Sequence, residues 1–132
     1  MNISVDTNVL ARAVLADDPV QSRVARKLLR EATSIAVPLP CLCELVWILR
    51  RGAKLATADV AAAIRALLNA ENVAMNRSAV EAGLSLLEAG GDFADGVIAY
   101  EGRWLGGETF VSFDQKAVAL LSQQGQAAQL LA

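Results

Sequence analysis

Residues 3–12 read ISVDTNVLAR. Ile3 to Val5 is a short β-type run, an acid follows it directly, and Thr7 to Leu15 has the spacing of a helix. A strand that passes through an aspartate straight into a helix is the joint from which α/β folds are assembled. The same alternation continues outward from it. Asp18-Pro19 supplies a cap and a first-turn proline for a helix to about Ala32, with Val20, Val24, Leu28 and Leu29 on its expected inner face. Ser34 to Val37 reads as a second strand closed by Pro38 and Pro40, and a strongly apolar helix runs from about Cys41 to Arg51, stopped by Gly52. Thr57 opens a helix to about Ala70, with Asp59 in its first turn, and a weak strand lies around Asn72 to Ala74. Helices follow over Arg77 to Glu88, ended by Gly90-Gly91, and over Asp92 to Leu105, ended by Gly106-Gly107. Thr109 to Phe113 is the clearest late strand, Asp114 to Gln124 the last helix, and Gln126 to Leu130 an edge strand. Strands separated by helices predict a mainly parallel sheet with helices on both faces. No repeat, low-complexity tract or linker divides residues 1–132, so a single domain is expected.

The 132 residues are enough to bury a real core, and with 55% hydrophobic but only 5% aromatic residues that core is expected to be aliphatic. No apolar stretch approaches the roughly 18 to 20 uncharged residues of a membrane span. The N-terminus MNISVDTN lacks the basic and hydrophobic regions of a signal peptide and reads as a strand, and a cytoplasmic location is expected. Cys41 and Cys43 lie two apart on a helix, where their side chains diverge by about 200°, so they read as small buried thiols and not as a bridge. The chain has no histidine. That excludes Ser-His-Asp and Cys-His catalysis and any ribonuclease mechanism built on a histidine acid–base pair.

Carboxylates carry the rest of the functional signal. Asp6 stands in ISVDTNVLA, Glu44 in CLCELVWILRR, Asp92 and Asp95 in GDFADGVIAY, and Asp114 in FVSFDQKA. Each is beside or inside an apolar run, where an unpaired negative charge is costly to desolvate. In open α/β sheets ligands bind beyond the carboxyl ends of the strands, where Asp6 and Asp114 should emerge. The plainer reading of either is a helix N-cap, and the two are compatible because a capping Asp can turn its second oxygen outward. Glu44 is the lone charge between Glu31 and Arg50, and reads as a metal ligand or as half of a buried ion pair with an arginine such as Arg12. Asp92 and Asp95 sit three apart on one helical face, as a capping pair or as two like charges calling for a cation.

VDTNVLAR, the mid-chain Glu44 in an apolar helix, GDFADGVIAY and FVSFDQKA together resemble a PIN-domain ribonuclease, most nearly the VapC-type toxins of bacterial toxin–antitoxin pairs. The likeness runs over essentially the whole chain. It implies an α/β/α sandwich around a central, mainly parallel sheet. It also implies an acidic site at Asp6, Glu44, Asp95 and Asp114, with Asp92 auxiliary and with Thr7, Asn8 and Ser112 in support. Asp114 occupies the most variable of the four positions. Oxygen ligands of this kind suit Mg²⁺ or Mn²⁺ rather than zinc. Such ions lower the pKa of water and screen charge developing on phosphorus, so RNA hydrolysis would leave 5′-phosphate and 3′-hydroxyl ends without histidine. The resemblance further implies a cognate antitoxin whose C-terminal tail lies in a groove between helices, placing Arg or Lys against the carboxylates, and a homodimeric toxin.

A net charge of −2 does not mark a nucleic-acid binder, yet a catalytic acid cluster would itself supply several of the 14 acidic residues, and bound metal would reverse the local sign. Arg23, Arg26, Lys27 and Arg30 form one stripe, and Arg50, Arg51 and Lys54 a second group beyond the Glu44 helix. Both read either as RNA guides or as solvated faces. Trp47 and Trp104 read as interface or as core. A haloacid-dehalogenase-type phosphatase would need a second Asp where Asn8 stands, and a receiver domain would need an acceptor Asp after a middle strand and a late Lys. The remaining alternative is a non-catalytic α/β binding module whose acids are caps and ion pairs.

Overall fold

The structure, a computed structural model, describes residues 1–132. It divides into two compact units, Met1–Asn76 and Arg77–Ala132. The first unit runs β1 (Asn2–Ser4), α1 (Thr7–Leu15), α2 (Pro19–Glu31), β2 (Ser34–Ala36), α3 (Leu39–Trp47), α4 (Thr57–Asn69) and β3 (Val73–Ala74). β1, β2 and β3 form a parallel sheet in that order, with Ile3 opposite Ile35 and Ile35 opposite Val73. Parallel neighbours need long crossovers, and the helices supply them. Leu10, Ile35, Leu42, Leu45, Leu49, Val60 and Ile64 are almost fully buried. This is the aliphatic core that the composition predicts.

The second unit runs α5 (Arg77–Glu88), α6 (Phe93–Trp104), β4 (Phe110–Ser112), α7 (Gln115–Gln123) and β5 (Ala128–Leu130). β4 and β5 pair in parallel, and α7 packs on both. Leu86, Ala99 and Leu121 are buried together, with Phe110, Leu120 and Ala128 against them. α5 and α6 meet closely at two glycines. A methyl group on Gly96 would lie 2.6 Å from the Ala82 carbonyl oxygen and 2.8 Å from the Gly83 Cα, and one on Gly83 would strike the Phe93 ring at 2.7 Å. α5 closes on Gly90, at φ +102°, whose N–H reaches the Leu87 carbonyl while the Gly91 N–H reaches Leu86. That pair of bonds is the Schellman arrangement, which favours glycine.

All three strand pairings are parallel, as the alternation of elements predicts, and element boundaries differ from expectation by a residue or two except at the end of α3, which stops as an α-helix four residues before the expected Arg51. α3 begins at Leu39 because Pro40 falls in the first turn, where its missing N–H is no loss. Beyond Trp47 the chain continues as a π-helical turn, Ile48–Gly52, with the Ala53 N–H bonded to the Ile48 carbonyl. Two expectations about side chains do not hold. α2 buries Ser22 and Ala25, whereas Val20 and Val24 are 67% and 63% exposed. Small residues let α2 lie close upon α1, so the valines flank the contact instead of filling it. Core packing also fails for the tryptophans, since Trp47 is 63% and Trp104 75% exposed. No helix is long and apolar enough to cross a membrane.

Candidate metal and nuclease site

In the first unit, Asp6 follows β1 and caps α1, its Oδ1 accepting the Val9 N–H at 3.1 Å. Glu44 lies in the second turn of α3 and is exposed, contrary to the expectation of a desolvated charge; α3 turns Cys41, Leu42, Leu45 and Val46 inward and leaves Glu44 outside. Its carboxylate Oε2 accepts a hydrogen bond from the Thr7 hydroxyl at 3.1 Å, which ties the start of α1 to α3. Arg12 is not its partner: that guanidinium bonds both Asp17 oxygens at 2.9 Å and the Gln21 side-chain oxygen at 2.8 Å. Asn8 is exposed one residue into the helix.

Cys41, one turn before Glu44, is a neighbour that sequence reasoning passed over as inert. Burial pushes its thiol pKa up, hydrogen bonding with Thr7 works against that, and the charges of Asp6 and Glu44 raise it further. Its i, i+3 spacing to Glu44 was the available signal. The neutral thiol fits the bland reading of this cysteine.

In the second unit, Asp92 caps α6 by accepting the Ala94 N–H, and Asp114 caps α7 by accepting the Lys116 and Ala117 N–H groups. The Ser112 hydroxyl accepts the Asp114 N–H at 2.9 Å and so fixes the turn out of β4. Asp95, in the first turn of α6, is half-buried. Its pKa is raised chiefly by burial, then by the negative charges of Asp92 and Asp114. Asp92 and Asp114 are thus near enough to act on Asp95, although burial weighs more than either charge.

The cap reading is thus correct for Asp6, Asp92 and Asp114. In each, the cap bonds fall on Oδ1. Asp6 and Glu44 share the first unit; Asp92, Asp95 and Asp114 share the second. In neither unit do three or more His, Cys, Asp or Glu side chains converge tightly enough to hold a metal ion. The donor set nonetheless suits a hard divalent cation. It is all carboxylate oxygen, and the Oδ2 atoms are left by the caps for another partner.

The model of the PIN domain family matches residues 3–119. The chain belongs to the PIN domain family, and its α/β fold with parallel strands is PIN-like. No curated protein matches it. PIN domains are typically nucleases, generally use divalent metal ions, and are consistent with RNA as a ligand.

Proposed function

We propose that this chain is a single PIN domain acting as a metal-dependent endoribonuclease, the cytoplasmic toxin of a toxin–antitoxin pair of the VapC type. The observation that carries the reading is the PIN match over residues 3–119, within which a half-buried Asp95 is raised in pKa by burial and then by the negative charges of Asp92 and Asp114. Like charges placed this way disfavour ionisation unless a cation is present.

Asp6, Glu44, Asp95 and Asp114 are the residues that would hold Mg²⁺ or Mn²⁺, with Asp92 auxiliary. Bound there, the ion would supply Lewis acidity toward a phosphodiester and lower the pKa of water. The chain's own residues supply the frame. Thr7 orients Glu44 through its hydroxyl, Ser112 sets the backbone at Asp114, and helix capping fixes the carboxylates of Asp6, Asp92 and Asp114. Asn8, exposed beside Asp6, would be the supporting polar group at that end of α1.

A groove of about 350 Å³ between α1 and α2 supports the antitoxin. It is lined by Val9, Val20, Val24 and Leu28, with Asp6 and Arg12 at its polar part. An apolar tail lying there would bring a terminal Arg or Lys toward Asp6. Homodimerisation is supported by the exposed apolar side chains of the second unit, Trp104, Leu105 and Phe113.

The caps at Asp6, Asp92 and Asp114 favour a second reading, a non-catalytic binding module. Calorimetric titration separates the two. The nuclease reading expects Mn²⁺ binding by the wild type and sharply weaker binding by Asp6→Asn; equal binding by both would overturn the site. In cells, induction of the wild type should arrest growth and create new RNA 5′ ends, and Asp6→Asn should do neither.

A further inference from the structure

Glu44 does not stand alone on the outer face of α3. Trp47, one turn on, is 63% exposed, and Arg50, Arg51 and Lys54 are exposed beyond it. Residues three and four apart on a helix are neighbours, so Glu44, Trp47 and Arg51 succeed one another along the surface. None of the three cations is paired with a carboxylate. The backbone that carries them is unusual. Ile48–Gly52 is a π-helical turn, Leu55 N–H returns to the Leu49 carbonyl at 2.9 Å, and Lys54 is held at φ +57°. π-turns within helices occur frequently at functional sites.

An exposed indole followed along the same segment by unpaired cations has one ligand chemistry that uses both parts. A nucleobase stacks on the ring, and the flanking phosphates meet the cations. The α2 stripe of Arg23, Arg26, Lys27 and Arg30 offers charge without an aromatic, so it lacks the first half. A protein partner's apolar surface would use the indole but strand the desolvated cations.

We propose that Trp47, Arg50, Arg51 and Lys54 form a binding surface for single-stranded RNA, with Trp47 stacking on an unpaired base next to the nucleotide that Glu44 serves. The proposal rests on the nuclease reading and adds to it the residues that would grip the strand, an indole and three cations that read RNA by stacking and charge rather than by base edges. Such a surface tolerates many sequences and prefers splayed loops or single strands over duplex.

The chain has two tryptophans, so Trp104→Phe leaves Trp47 as the lone indole. In that background, with Asp95→Asn to prevent cleavage and Mg²⁺ present, a single-stranded RNA oligonucleotide should quench Trp47 fluorescence. Trp47→Ala should weaken RNA binding roughly 5- to 150-fold, the range expected for one lost stack, while Trp47→Phe retains most of it. Arg51→Gln should reduce the slope of log K against log salt by about 0.7, the value for one phosphate contact with a single strand. Wild-type cleavage of the same RNA, measured alongside, separates the two failures. If the wild type cleaves but Trp47→Ala binds as tightly as its parent, the stacking surface is wrong and the nuclease reading stands. If Trp47→Ala changes only the sedimentation coefficient, the face is a protein interface and the proposal is overturned. If the wild type neither binds nor cleaves RNA, both readings fall.

Discussion

At Asp6 the Oδ1 atom caps α1, so an amide in its place keeps the cap while giving up a charged oxygen. Asp6→Asn is therefore expected to leave thermal stability within a few tenths of a kcal/mol of wild type and to weaken Mn²⁺ binding more than about tenfold. Asp6→Ala should lose the metal and about 1 kcal/mol of stability together, which paired melting and calorimetry would resolve. Asp95 behaves in the opposite sense. Its folded-state pKa is raised, so its contribution favours the fold below the ordinary carboxylate pKa and is lost as pH rises through the folded value. Asp95→Asn should thus stabilise the metal-free chain at neutral pH by a few tenths of a kcal/mol, once solvent screening is allowed for, while abolishing cleavage. By linkage, Mn²⁺ should bind more tightly as pH rises through and above the ordinary carboxylate range, because protons and the cation compete for the same oxygens and the raised pKa of Asp95 extends that competition upward. Calorimetry across that range, with Asp95→Asn showing a flatter profile, checks it.

Among the elements, the α5–α6 contact sets where Asp92 and Asp95 stand. Gly96→Ala would push a methyl group into the Ala82 carbonyl and the Gly83 backbone, which cannot step aside as a flexible side chain would. A loss of about 1–3 kcal/mol, read as a lower urea midpoint with unchanged m, is expected. Thr7→Val, which keeps shape but removes the hydroxyl holding Glu44, should cost less than about 1.5 kcal/mol in stability yet lower cleavage. These elements were unequally legible in sequence. The strand-to-helix joints at Asp6 and Asp114 and the glycine stops after α5 and α6 were readable because caps and αL turns demand particular residues. The buried face of α2 was not readable, since Ser22 and Ala25 are inward for the closeness they allow and not for their hydrophobicity. The π-turn after Trp47 follows from backbone bonding that leaves no periodic mark in the residues.

Taken whole, the chain carries a net charge of −2 and no histidine. Its proposed chemistry depends on carboxylates and a divalent ion, and its grip on RNA on local groups of cations and not on overall charge. The candidate acids could be picked from their contexts beside strands and helix starts, and their order along the chain is what the resemblance to the family rested on. Their surroundings could not. That Glu44 is exposed and held by Thr7, and that Asp95 is half-buried with Asp114 near it, depends on packing between segments apart in sequence. The measurement that bears most directly on the account is cleavage of a defined single-stranded RNA by the purified chain, with Mn²⁺, with EDTA, and with Asp95→Asn. The account predicts cuts with Mn²⁺ that leave 5′-phosphate and 3′-hydroxyl ends, and none with EDTA or in the variant. Cleavage that persists in EDTA, or in Asp95→Asn at the wild-type rate, would contradict it.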